Sequence, residues 1–367
     1  MRKSVIIFSF FLFSCSQATD TIKVQYNDST GTELLSSPFI EDIEIVTFWG
    51  KDAPVLGLWS NIIIKDDRYV LIQSGKTHLY DATGKYLNSV GVKGRGSGEY
   101  QDFSDLIIEE NGDISVYSGV EGALFTYDSQ GRFLKKTEYL YRSMNFCKDN
   151  RYNYHYYGHG GGKPYQLYIT DNENHTIDSC LASSNVMAIG GAVFSTFGDA
   201  LNLSPVYGGE VYRLDDGKVS IVYNFDFGSF QLSKAFYQSD WGQSYAYLES
   251  NNTALKNRFF ENQNYAVLQA VAGNMGEDWA RIVIGLLEKA TSTWNWFYIK
   301  EGDFMDGLCL QYMDDSYIYF AADIESMKEA GLSNRFPVLD TLDPLEVEVV
   351  ILKCKLVAAT DNRSEII

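Results

Sequence analysis

Apolar and polar positions alternate along this chain in short runs, and Asp, Asn or Gly interrupts them every few residues. Tyr69-Val70-Leu71-Ile72, Ile114-Ser115-Val116-Tyr117 and Val347 to Lys353 have the length and the β-branched and aromatic content of strands. Helical spacing is nearly absent. Residues 226–259 hold no clean strand pattern, and within them Tyr245 to Lys256 reads as a short helix or an ordered insertion. Asp323 to Gly331 reads as one short helix with a glycine stop.

The strand runs repeat. Leu79-Tyr80-Asp81-Ala82-Thr83-Gly84-Lys85-Tyr86-Leu87 is echoed by Thr126-Tyr127-Asp128-Ser129-Gln130-Gly131-Arg132-Phe133-Leu134. The shared form, Tyr-Asp-x-x-Gly-basic-aromatic-Leu, predicts strand, tight turn, strand. Weaker echoes stand at Tyr168 to Asn172, Tyr212 to Lys218 and Trp296 to Gly302. A polar turn followed by a strand recurs at Asp66 to Ile72, Asn111 to Tyr117 and Asp314 to Tyr319. A period of about 40–50 residues with four short strands is the pattern of propeller blades. Blades are expected near 56–91, 102–138, 139–182, 187–225, 260–303 and 305–355. The fold expected is therefore all-β: a six-bladed β-propeller with four-stranded antiparallel blades. The early strand Ile43 to Phe48 would join the last blade beside Val347 to Lys353 and close the ring.

The first residues read differently. Met1-Arg2-Lys3, then an apolar run from Val5 to Phe13, make a secretion signal. The run is about half the roughly 20 residues a membrane span needs. Leu12-Phe13-Ser14-Cys15 resembles the site at which lipoprotein signal peptides are cut before a lipid-modified cysteine, although Phe13 is bulky for it. The expected organisation is a signal peptide at 1–14, a lipidated Cys15 with a tether at 15–40, the propeller at 41–356 and a tail at 357–367. The expected location is exported and lipid-anchored to the outer membrane, on its periplasmic or cell-surface side.

A formal net charge of −18 repels phosphate backbones, so no nucleic-acid partner is expected. It also argues against an electrostatic grip on anionic lipid. Cys147, Cys180, Cys309 and Cys354 lie far apart without metal-ligand spacing; buried free thiols are expected ahead of disulfides, whose pairing stays open.

The string Gly91-Val92-Lys93-Gly94-Arg95-Gly96-Ser97-Gly98-Glu99-Tyr100, with Asn111 to Tyr117 and Phe125 to Leu134 after it, resembles an NHL-type blade. It departs in the middle, where Val120-Glu121-Gly122-Ala123 stands in place of the usual Asn and Arg. Over nearly its whole length, the chain resembles the six-bladed β-propeller lipoproteins of Bacteroides-type bacteria, with NHL-like or TolB-like blades. That resemblance implies a fold and a location but no general activity.

Candidate chemistry gathers between blades. Lys93 to Asp105 is expected to connect one blade's outer strand to the next blade's inner strand. Its glycines let the backbone turn sharply and a ligand come close. Arg95 offers a fork to a carboxylate or sulfate. Glu99, Asp102 and Asp105 offer oxygens to a hydroxyl or to Ca²⁺, the one cofactor considered. The same loop also reads as a plain blade-to-blade turn, with Arg95 and Glu99 facing each other or solvent. Trp59, Tyr100, Trp241 and Trp294 are candidates for stacking on sugar rings, against the alternative of packing between blades. His159 stands in a glycine loop, Gly158 to Gly162, like an oxyanion loop, but no G-x-S-x-G nucleophile accompanies it. His155 and His159 have metal-ligand spacing only on a helix, and their surroundings read as strand and loop, so no metal site is assigned.

The ligand-binding set is thus Trp59, Arg95, Glu99, Tyr100, Asp102 and His159, with no catalytic residue named. The function expected is a cell-envelope binding or scaffold module for a glycan, peptide or partner protein on one face of the ring. The alternative is a divalent-cation-dependent lyase or lactonase-type hydrolase at the channel. That would require acids, Asn or His from several blades to converge.

Overall fold

A computed structural model describes residues 21–25, 34–57, 61–65, 68–73, 76–191, 193–276, 281–298, 308–343 and 347–358. Six sheets of antiparallel strands follow one another around a ring, a six-bladed β-propeller. From blade 1 to blade 6 the inner strands are Asn61–Lys65, Asp105–Ile108, Asn145–Lys148, Phe194–Phe197, Thr253–Glu261 and Leu308–Met313. The outer strands are Tyr86–Val90, Phe133–Glu138, Thr176–Ala182, Lys218–Asp226, Thr293–Tyr298 and Ile40–Val46. The expected closure is present: Ile40–Val46 pairs antiparallel with Val349–Leu356, placing Ile43 opposite Cys354.

Position within a blade explains the strand patterns. A middle strand has a neighbouring blade on each face, so all five residues of Ile114–Ser118 are buried. The outer strand Phe133–Glu138 is exposed along almost its whole length. The recurrent turn joins the third and fourth strands. Asp81 Oδ1 accepts from the backbone N–H of Thr83 and Lys85, and Asp128 Oδ1 from those of Gln130 and Arg132. Gly84 and Gly131 take the left-handed backbone these turns require.

Polar clasps join each blade to the next near the ring's inner edge. Gln269 Oε1 accepts from Leu310 N–H, and Gln311 Oε1 from Ile62 N–H at 3.1 Å. Lys65 Nζ donates to Ile108 O at 2.8 Å, and Asp105 Oδ2 accepts from Phe146 N–H at 3.2 Å. Asn145 Nδ2 donates to Gly191 O at 3.1 Å, and the buried Lys256 ammonium donates to Glu210 O. Burial pushes Asp105 up to about 6 and Lys256 down to about 7.

The structure corrects four expectations. Blade 5 begins at Thr253, not near 260, because Thr253–Glu261 buries Lys256 and Arg258 and so reads as polar in sequence. The stretch before it folds as helices Lys234–Tyr237 and Trp241–Ser250, the second closed by a capping box between Asp240 and Gln243. Trp296 to Tyr298 belong to the outer strand of blade 5 rather than to the strand that leads into its turn. Within the expected tether, Ile22–Gln25 is a strand. It pairs parallel with Lys218–Asp226 as a fifth strand on blade 4, and Trp296 Nε1 donates to Gln25 O. The helix expected near 323–331 is found at Ile324–Glu329. All four described cysteines are free thiols. No described helix is long and apolar enough to cross a membrane.

Candidate functional site

In an antiparallel blade, the turn between the second and third strands lies at the same end as the connection onward to the next blade. The connection from blade 1 to blade 2 therefore faces the turn Gly119 to Gly122 of blade 2. Two short parallel strands, Val92–Lys93 and Glu99–Tyr100, frame it and hold the loop Gly94 to Gly98 between them.

The loop is built from its own side chains. Glu99 folds back, and its Oε2 accepts from Gly96 N–H at 2.7 Å. Tyr127 OH donates to Gly98 O at 2.8 Å. Gly98 has φ 78°, and a Cβ there would lie 2.6 Å from the Phe133 ring, so only glycine lets the loop rest on that ring. With Glu99 engaged, Arg95 extends to solvent and makes no ion pair with any described residue.

Beneath the loop is a cleft of about 430 Å³. Arg95 and Glu99 stand on its rim, Phe125 and Phe133 on its apolar side, and Glu121 and Lys136 on its polar side. Lys136 Nζ lies 5.2 Å from the Phe125 ring centre and 3.3 Å from Glu121 Oε1. Glu121 Oε2 accepts from Gln101 N–H at 2.9 Å. Phe133 is 38% exposed, which leaves part of its ring open to an occupant. The cleft thus offers one unpaired guanidinium fork, an ammonium shared between acids, and an aromatic wall. Such a set can hold an anionic group attached to an apolar or sugar frame.

Of the sequence-predicted residues, the structure brings Arg95 and Glu99 to this cleft. Tyr100 is fully buried: its ring packs at 62° to Phe125, with 6.2 Å between ring centres, so it forms the floor of blade 2 and presents no face to a ligand. Asp102 is engaged in the fold. Its Oδ1 accepts from Ser118 Oγ and Val120 N–H, and its Oδ2 from Ser104 Oγ at 2.9 Å. Asp105 serves the joint to blade 3, so Glu99, Asp102 and Asp105 do not present oxygens to one point. Among the described residues no three of His, Cys, Asp and Glu stand together as a cation site would require. Trp59 lies outside the described residues.

His159 is elsewhere, in the second-to-third-strand turn of blade 3, and is buried with 8% exposure. Its Nδ1 accepts from Ser184 N–H at 3.1 Å and lies 2.9 Å from Ser184 Oγ. A backbone N–H can only donate, so the ring is neutral with its proton on Nε2. Burial pushes it down to about 4. His155 is fully buried on strand Tyr152–Tyr156 and pushed down to about 3. Trp294 packs with Trp296, ring centres 5.9 Å apart. Sequence reasoning missed Phe125, Phe133, Glu121 and Lys136. The clue was available: Phe133 and Lys136 follow the repeated Asp128 turn on a strand that ends its sheet, where side chains are exposed.

Comparison with known proteins places this geometry in a family. The model of the family described as domain of unknown function DUF4934 matches residues 19–333. No curated protein matches the chain. Among solved structures, a Bacteroides fragilis protein assigned as exported is similar at 15% identity, covering 92% of this chain and 99% of that one with a TM-score of 0.74. A Bacteroides vulgatus member of the DUF4221 family is similar at 10% identity, covering 86% of this chain and 96% of that one with a TM-score of 0.56. At these identities the likeness is one of fold. The family match spans most of the chain, and with its ring of six blades this protein is a member of the DUF4934 family.

Proposed function

We propose that this protein is an exported, lipid-anchored envelope module that binds a ligand carrying a carboxylate or sulfate, through the cleft under Gly94 to Gly98. The observation that carries the reading is the exposed Arg95 fork at the rim of a cleft walled by Phe133 and Phe125. A guanidinium holds a carboxylate or sulfate through two parallel hydrogen bonds, and an aromatic face takes the apolar side of a sugar. An acidic glycan meets both requirements. The signal sequence, Cys15 and the exported assignment of the Bacteroides fragilis neighbour support the location. The lyase or lactonase alternative needs converging metal ligands, and no described trio supplies them. The binding reading needs no metal.

Thermal unfolding of the purified protein against uronic-acid and sulfated oligosaccharides tests the cleft. A ligand that prefers the folded state raises Tm, and the rise is expected to vanish in Arg95→Ala and to ignore EDTA. A loss of Tm with EDTA alone would return weight to a cation site. For the anchor, Cys15→Ser is expected to move the protein from the membrane to the soluble fraction; continued membrane attachment would remove the lipid from the proposal.

A further inference from the structure

Diametrically across the same end of the ring, three blades from the cleft, the connection from blade 4 to blade 5 carries a second feature. Helix Trp241–Ser250 turns Ser244 and Leu248 inward and leaves Trp241 59% and Tyr245 41% exposed. The two rings are parallel within 4°, their centres 5.9 Å apart. The capping box of Asp240 and Gln243 fixes the helix turn that carries Trp241, and the two rings support each other by stacking.

We infer that Trp241 and Tyr245 form a stacking shelf for the pyranose rings of a neutral polysaccharide, a second site independent of the Arg95 cleft. Three observations select that occupant. First, the offset stack leaves aromatic surface of both rings open, and the C–H face of a pyranose is flat, apolar and edged with hydroxyls that Trp and Tyr tips can bond. Second, no Lys or Arg lies between Lys234 and Lys256, whereas Asp240 and Glu249 flank the rings. This charge disfavours an acidic glycan or an anionic bilayer. Third, two side chains on a convex helix give far less than the roughly 800 Å² per partner of a stable protein interface. Rings already stacked on each other lose little side-chain freedom on binding, so a short contact can suffice.

Native gel electrophoresis of the purified protein through gels containing xylan, mixed-linkage β-glucan, galactomannan or starch tests the shelf. At least one is expected to retard the protein. Trp241→Ala should weaken that retardation at least tenfold and Tyr245→Ala several-fold. Arg95→Ala should leave it unchanged, which separates this site from the cleft. The exposed position of Trp241 predicts an unchanged Tm for its variant, which shows that lost retardation is lost contact rather than lost fold. No retardation by any of the four, or equal retardation of Trp241→Ala, overturns the inference. So does a blue shift of Trp fluorescence on phosphatidylcholine vesicles without polysaccharide retardation, which would assign the shelf to a bilayer.

Discussion

Two glycine-rich loops at the same end of the ring make opposite use of the polar residue they carry. Gly94 to Gly98 closes on itself through Glu99 and on Tyr127 from below, which leaves Arg95 in solvent above a cleft. Gly158 to Gly162 folds His159 inward against Ser184, between the rings of Tyr207 and Tyr237. Glycine content is similar in both. The difference lies in which hydrogen-bond partner is within reach. In the first loop a carboxylate three residues along the chain satisfies the loop itself, and the cation is spare. In the second, the neighbouring connection supplies a backbone donor, and the imidazole becomes part of the fold.

Four measurements break or sharpen this contrast. The largest effect belongs to His159. Its folded-state value, about 4, lies below its ordinary 6.5. The unfolded chain therefore takes up the proton first as pH falls. The stability His159 contributes is complete above about pH 6.5 and is lost towards pH 4, on the order of 3 kcal/mol. Denaturant midpoints between pH 4 and 7 should fall less steeply in His159→Gln than in the unmodified protein. The difference between the two is the readout, since His155 adds a loss of the same sign and Asp105, pushed up to about 6, one of opposite sign. Equal slopes would show that His159 is not locked.

Next, Gly160→Ala combines φ 73° with a Cβ only 2.6 Å from Val186 O. About 2 kcal/mol of stability should be lost, read as a lower denaturant midpoint. A neutral result would mean the inward fold of the loop is loose. In the open loop, Arg95→Ala should cost at least tenfold in affinity for an acidic oligosaccharide, about 1.4 kcal/mol. Tm without ligand should not change. A fallen Tm with unchanged affinity would make Arg95 structural and erase the contrast. The smallest effect is Gly162→Ala, where φ is 67° but no atom lies within 4 Å of the new Cβ. A loss of about 1 kcal/mol, from backbone conformation alone, is expected in thermal unfolding.

The ring was legible because its turns are chemically explicit. Asp81 and Asp128 write the turn with a side chain that binds two backbone donors, and a glycine completes it. Where the echo weakened, other residues carry the same backbone: Asn174 has φ 66° in blade 3 and Ser292 φ 54° in blade 5. The start of blade 5 was misplaced because polarity stood in for exposure, and Lys256 is polar yet buried at a joint. The strand Ile22–Gln25 was illegible, since four residues without a repeat partner carry no period, and its pairing is decided by the edge of a distant blade. In the site, Arg95 could be found from its loop. The fate of Tyr100 could not, because period-2 alternation says that a residue faces one side of a sheet, not whether the next blade covers that side. Trp241 was singled out with three other aromatics, and only its place on a helix outside the blades leaves its face open.

The closing strand has a consequence in time as well as in space. Ile40–Val46 is synthesised among the first segments of the ring, while its partner Val349–Leu356 is synthesised among the last. The strand must wait unpaired while nearly every blade forms. It carries Ile40, Ile43 and Ile45, the sort of edge that joins the wrong sheet. Glu41, Asp42 and Glu44 alternate with them and repel stray edges during that wait. When the last blade arrives, Lys355 lies 3.1 Å from Glu41 and Lys353 3.6 Å from Glu44. The same acids that guard the strand while it is alone then mark the register in which the ring shuts.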